Sequence, residues 1–245
     1  MDIVYGKNPV MELLKSDSEV DKVFVNKESV DHVTARILKL CREQNIVVSY
    51  TMDKKLTEMT GTSKHQGIAA TIAQTEYVSV EDILNYAEEL EEKPFVVILD
   101  GIEDPHNLGA IIRSANVAGA HGVIIPKRRS ATVNSTVYKA SAGAAAVTRI
   151  AKVTNLSQTI DMLKEKGLWI FGAEADGDKF YYESDMTGAV GVVIGSEGFG
   201  MSKNIREKCD FLVKIPVMGE INSLNASVAA GILLFEVLRQ KLTEN

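Results

Sequence analysis

Cysteine is scarce in this chain: Cys41 and Cys209 are the only two in 245 residues, and they lie far apart. Two distant thiols make neither a disulfide framework nor a zinc-ligand spacing, so the sequence reads as a protein without structural metal and from a reducing compartment, the cytoplasm. Long apolar runs are missing too. No stretch reaches the roughly 20 residues that a membrane-spanning helix needs, and no basic-then-apolar leader opens MDIVYGKNPV, so a membrane partner is not expected. Internal repeats and low-complexity tracts are likewise absent. What is present is the composition of a globular protein, 45% hydrophobic and 24% charged, long enough for one large or two ordinary domains.

A further absence is local. Net charge is −6, yet residues 105–160 hold no carboxylate at all and seven basic side chains: Arg113, Lys127, Arg128, Arg129, Lys139, Arg149 and Lys152. The negative excess sits in residues 76–92, which carry seven acids and no base. A basic stretch without acids is a candidate anion-binding surface; the plainer alternative is a solvated face neutralised by acids elsewhere in the fold.

The first seventy residues alternate strand-like and helix-like segments. Asn8-Pro9 has the chemistry of a helix start, VDKVFVN (20–26) and IVVSY (46–50) read as strands, DHVTARILKLCREQN as a helix between them, and GIAATIA (67–73) as another strand. A first domain is expected over 1–75. SVEDILNYAEELEE has a Ser79-to-Asp82 capping spacing and reads as a solvated connecting helix within an acidic linker, 76–93. From residue 94 the rhythm is strand, helix, strand, which predicts a mostly parallel sheet over 94–245. Its candidate strands are FVVILDG, GVIIP, VTRIAKV, LWIFGAEA, AVGVVIG and FLVKIPV. Helices are expected at 107–119, around 134–145, and at 155–166, 202–208 and 224–241.

Three loops of this second part carry chemistry. In DGIEDPHNLGAIIRSANVAGA (100–120), Asn107 stands where a helix cap belongs; Leu108, Ile111, Ile112, Ala115 and Ala118 form one helical face, with His106, Gly109, Arg113 and Asn116 opposite. Arg113 is thereby presented from a packed helix, although this stretch taken alone favours a surface ion-pair role. The second loop, GSEGFG (195–200), is glycine-rich after a strand, but Glu197 would repel phosphate. Its late position and GxxGxG order argue against a nicotinamide dinucleotide fold; a turn without a ligand is the alternative. In the third, IPVMGEINSLNASVAAGILLFEVL (215–238), Ser223 and Asn225 head a helix that is apolar on every side. Such a helix must be covered all round, so a second subunit is expected on it, while Ser223 and Asn225 either cap the helix or hold a polar ligand.

Together the loops resemble a known family. Asn107-x-Gly109-x-x-x-Arg113, Gly195-x-Glu197-x-x-Gly200, and Ile215-Pro216 with Ser223-Leu224-Asn225 look like the three ordered motifs of the TrmH-type SPOUT RNA 2′-O-methyltransferases, over about residues 94–243. The amino-terminal YGKNPVMELLKS and HQGIAATIA are similar to the small substrate-binding domain of the RlmB-like branch, which modifies 23S ribosomal RNA. Ala226 stands where the family commonly has valine.

The resemblance implies an α/β protein: a small α/β substrate-binding domain, then a mostly parallel-sheet SPOUT domain with a carboxyl-terminal trefoil knot. It implies S-adenosylmethionine as cofactor, whose cationic sulfonium makes Glu197 tolerable, held by Gly195, Ile215 and Leu224 with Glu197 and Gly200. It implies methyl transfer to a ribose 2′-hydroxyl, with Arg113, Asn107, Glu197, Ser223 and Asn225 around the reaction and RNA phosphates on Lys127, Arg128, Arg129, Lys139 and Arg149. An arginine keeps its charge, so Arg113 is expected to stabilise a developing alkoxide or anchor a phosphate rather than act as a base. The expected substrate is a guanosine of 23S ribosomal RNA in an accessible loop, and the expected assembly a homodimer through the last helix, without metal. Transfer RNA as substrate, or a non-catalytic RNA-binding protein of the same fold, are the alternatives.

Overall fold

The computed structural model describes residues 3–15, 20–29, 31–72, 76–219 and 223–243. The chain divides into two compact units at Thr75/Glu76, with the short stretch Thr132–Ser135 grouped with the first.

The first unit runs β1 (Ile3–Tyr5), α1 (Lys7–Lys15), β2 (Val20–Asn26), α2 (His32–Glu43), β3 (Val47–Thr51), α3 (Asp53–Thr60) and β4 (Ile68–Ile72). Its sheet order is β1-β4-β2-β3, antiparallel except for the β2–β3 pair. Alternate residues Val23 and Val25 of β2 and Ile68 and Ala70 of β4 meet Val10, Met11 and Leu14 of α1 and Ile37 and Cys41 of α2 in one core. The helix over 7–15 begins one residue before Asn8, so Asn8 lies in its first turn rather than at its cap; Gly6, at φ +92°, makes the turn. Strand β1 and helix α3 were not expected from the sequence, and Ala73 of the expected strand 67–73 lies outside the described residues.

The second unit opens with α4 (Val80–Glu89), capped as the spacing predicts: Ser79 Oγ accepts the Asp82 N–H at 3.0 Å, and the Ser79 N–H donates to Asp82 Oδ2 at 2.8 Å. Only the acidic face of α4 is the solvated connector expected. Val80, Ile83 and Ala87 are buried, Val80 and Ile83 in a core with Val96, Ile124 and Leu163. The i, i+3 spacing that buries them is hidden in the sequence by the glutamates around it.

The remaining elements are β5 (Phe95–Asp100), α5 (Pro105–Val117), β6 (Gly122–Pro126), α6 (Ser135–Ala140), β7 (Ile150–Val153), α7 (Leu156–Glu165), β8 (Trp169–Ala173), β9 (Lys179–Phe180), β10 (Val190–Gly195), α8 (Lys203–Arg206), β11 (Phe211–Lys214) and α9 (Ala226–Thr243). The sheet is ordered β7-β6-β5-β10-β8-β11-β9, and every pairing in it is parallel. Helices α4, α7 and α8 cover one face, while α5 and α9 pack on each other and on β6 and β10. Because all seven strands run the same way, the three motif loops leave the sheet at one edge. The order reverses between β5 and β10, which is where open α/β sheets bind ligands.

Candidate active site

Asp104, not Asn107, caps α5: its Oδ1 accepts the His106 N–H at 2.9 Å, and Pro105 occupies the first helical position. An Asp-Pro pair supplies both the acceptor and the fixed φ of a helix start, which frees Asn107, three residues in, to face across the sheet edge. Gly109 is buried against α6, where a Cβ would lie 2.5 Å from Ala140 Cβ and 2.9 Å from the Val137 carbonyl oxygen. The motif glycine therefore lets two helices approach.

After β10, the turn Ser196–Gly200 closes on itself. The Ser196 N–H donates to Gly200 O at 3.0 Å and the Gly200 N–H to Ser196 O at 2.9 Å. A Cβ on Gly195 would fall onto the Gly200 carbonyl, and Gly200 itself sits at φ +63°. The turn is tied to its neighbours as well: the Met201 N–H donates to Glu174 Oε1 at 3.1 Å and the Ser202 N–H to Asp100 Oδ2 at 2.7 Å.

These two loops and the head of α9 meet at one carboxylate. Asn107 Nδ2 donates to Glu197 Oε1 at 2.7 Å, Asn225 Nδ2 donates to the same oxygen, and the Ala226 N–H approaches it at 3.4 Å. Asn225 Nδ2 also donates to Asn107 Oδ1 at 3.0 Å. Meanwhile Asn225 Oδ1 caps α9, accepting the Ser227 and Val228 N–H groups at 3.0 and 3.3 Å. Capping and site-building are thus done by opposite ends of one amide. All the donors converge on Oε1, and no hydrogen bond reaches Glu197 Oε2 among the described residues.

Beside this cluster lies a cavity of about 590 Å³. Ile194, Val213, Ile215, Pro216, Val217 and Leu224 give it apolar walls, and Gly195, Gly200 and Ser223 also line it. Its charged lining is Glu174, Asp176 and Glu197 against Lys214, an excess of carboxylate that disfavours a phosphate and favours a cation with an apolar body. Glu174, Asp176, Phe180 and Lys214 belong to none of the motifs that mark the site in the sequence, and Phe199 fills an unspecified position of the second. The signal for Glu174 is its place just beyond the end of a parallel strand.

The other expected residues are not gathered into the cluster. Ser223 and Leu224 line the cavity without a hydrogen bond to Glu197. Arg113 is exposed on the side of α5 away from its buried face, and no ion pair holds it among the described residues. Lys127, Arg128 and Arg129 are exposed after β6, as is Lys139 on α6. Arg149 is engaged elsewhere, with its guanidinium carbon 3.2 Å from the centroid of the Tyr86 ring, where it docks α4. Glu220–Asn222 of the third loop lie outside the described residues. Among the described residues, no cluster of three or more metal-ligating side chains occurs, and no helix is long and apolar enough to cross a membrane.

Comparison with known proteins places this geometry. Residues 94–235 match the model of the SpoU rRNA Methylase family, and residues 3–78 match that of the RNA 2′-O ribose methyltransferase substrate binding domain. YacO of Bacillus subtilis (strain 168), named for the TrmH family of tRNA/rRNA methyltransferases, is 45% identical over 240 residues, 98% of this chain and 96% of its own. Among solved structures, the SpoU methyltransferase AviRb of Streptomyces viridochromogenes, in complex with AdoMet, superposes with a TM-score of 0.64 at 24% identity, over 98% of this chain and 90% of that one. The A. aeolicus TrmH/SpoU tRNA modifying enzyme does so with a TM-score of 0.58 at 29% identity, over 67% of this chain and 84% of its own. Both family models and the length of the YacO match show the same thing: the chain belongs to the SpoU/TrmH family of RNA ribose methyltransferases.

Proposed function

We propose that the protein methylates the ribose 2′-hydroxyl of a guanosine in 23S ribosomal RNA, with S-adenosylmethionine as donor. The observation that carries the reaction is Glu197, anchored through Oε1 with Oε2 left to accept from a sugar hydroxyl. The cavity fits the donor in size, in its apolar walls, and in a carboxylate excess suited to a cation. Gly195, Ile215 and Leu224 would hold it, with Glu197 and Gly200 at its edge. When bound, S-adenosylmethionine supplies a methyl group on a sulfonium. Glu197 Oε2 accepts the proton of the attacking hydroxyl, and Asn107 and Asn225 fix that oxygen's direction. Arg113, unpaired within the described chain, supplies positive charge to the developing alkoxide or the adjacent phosphate.

Ribosomal rather than transfer RNA is favoured by the amino-terminal unit. The tRNA-named A. aeolicus enzyme covers only 67% of this chain, too little to include both family matches. That unit would grip a distant part of the RNA, while Lys127, Arg128, Arg129 and Lys139 meet phosphates near the site. A carboxyl-terminal knot belongs to the same proposal, supported by the insertion of β10 between β5 and β8 out of chain order. So does a homodimer: Val228, Phe235 and Leu242 leave an exposed apolar stripe on α9. Sedimentation of a folded monomer would remove the dimer.

The test is transfer of labelled methyl to RNA fractionated from cells lacking the gene, followed by digestion to nucleosides. Label in 2′-O-methylguanosine from 23S RNA is expected. Label only in transfer RNA would overturn the ribosomal assignment, and label in a base would overturn the chemistry.

A further inference from the structure

Phe199 is 97% exposed, although Phe95 and Phe171 of the same unit are fully buried. It does not stand on a loose tip. The Ser196–Gly200 turn that carries it is closed by two backbone hydrogen bonds and anchored through Met201 and Ser202 to Glu174 and Asp100. The space beside it is open, since a Cβ on Gly198 would meet nothing within 4 Å. A rigid backbone thus holds a bare phenyl ring at the mouth of the cavity, two residues from Glu197. Two residues span at most about 7 Å of backbone, the scale of one nucleoside.

A ribose 2′-hydroxyl reaches such a site only when its nucleotide is splayed from its neighbours, which costs the base its stacking partners. An aromatic face returns that contact, whatever the base. Phe180, the other phenylalanine of the cavity, is already engaged: its ring stacks on Tyr182 at 5.4 Å between centroids, and Lys214 lies over it at 5.2 Å. Phe199 is the ring left without a partner among the described residues.

We propose that Phe199 stacks on the base of the nucleotide whose ribose is methylated, a role that rests on the methyltransferase reading above. A stack formed on binding and kept through the reaction supports KM rather than kcat. With the RNA identified by labelling, Phe199→Ala should raise KM for RNA about 5- to 100-fold. Its kcat should stay within about threefold. Phe199→Trp should restore KM, and in a Trp169→Phe background its fluorescence should be quenched by RNA. An active wild type with an unchanged KM in Phe199→Ala removes the stack and leaves the enzyme. Conversion of Phe199→Ala to a monomer in sedimentation also removes it, by showing the ring covered by a second copy. A wild type that methylates no RNA removes the underlying reading instead.

Discussion

Replacing Asn107 by aspartate separates what α5 needs from what the site needs. The two side chains are nearly isosteric, but the amide nitrogen that donates to Glu197 Oε1 at 2.7 Å becomes a second carboxylate oxygen. A hydrogen bond to a charged group contributes about 1.5–3 kcal/mol. Like charges in contact add about 1 kcal/mol of repulsion at the high-dielectric limit, the relevant limit because Glu197 is exposed. Together these displace the Glu197 carboxylate by about 3 kcal/mol of preference, or roughly two orders of magnitude in methyl transfer if its position sets the rate. Asn107→Ala loses the same donor without the repulsion, so its loss should be about fivefold smaller. The helix responds the other way. Position 107 lies in the first turn of α5, where a negative charge is favourable by about 0.3–1 kcal/mol. Asn107→Asp should therefore lose less stability than the broken hydrogen bond and the added repulsion alone would cost, and bind the cationic donor no more weakly, yet turn over more slowly than Asn107→Ala. Single-turnover methyl transfer, calorimetric donor binding and thermal unfolding measure the three quantities. An aspartate variant as active as the alanine variant would refute the assignment of Asn107 as the group that positions Glu197.

Arg113→Ala should abolish methylation while leaving donor affinity and folding intact; comparable turnover by that variant would take Arg113 out of the chemistry. Gly109→Ala forces a methyl against Ala140 and the Val137 carbonyl. It should cost about 1–3 kcal/mol and lower the melting temperature by roughly 2–4 °C for each, an effect absent from Gly219→Ala, where a Cβ meets nothing. His121 is neutral in the fold: its Nδ1 accepts the Phe95 N–H at 2.9 Å, and burial first, then Lys241, depresses its pKa against the opposing pull of Glu92. Its contribution to stability is present above the unfolded value of about 6.5 and is lost as pH falls toward the lower folded value. Denaturant midpoints at pH 7.5 and 5.5 should diverge less in His121→Gln than in the wild type.

The parallel sheet is legible because its strands are near-continuous apolar runs such as FVVILDG and AVGVVIG, separated by helical periodicity. Short elements are not. Lys179–Phe180 is two residues long, and Ile3–Tyr5 pairs only through the partner β4, so neither leaves a periodic trace. Asparagine suits a helix cap, so the sequence points to Asn107; Asp104 suits that position as well, and Pro105 decides between them. The motif residues are legible as a set, but not the division of Glu197 into a held oxygen and an open one. That depends on Asn107 and Asn225 arriving from positions 90 residues before and 28 residues after it.

Strand pairing explains why residues so distant meet at all. β5 and β10 are neighbours in register, with Gly195 opposite Asp100, so the loops that follow them leave the sheet at the same level. Asp100 then accepts the Ser202 N–H, tying the second loop to the end of the first strand. The site is thus positioned by buried sheet hydrogen bonds, not by the exposed residues that act in it. Substitution at Glu197 should change chemistry at little cost to folding, whereas substitution at Asn225 also removes the cap of α9, at about 0.5–2 kcal/mol. Substitutions at the fully buried Val97 or Ile98 of β5 should unfold the unit before they alter the geometry of the carboxylate.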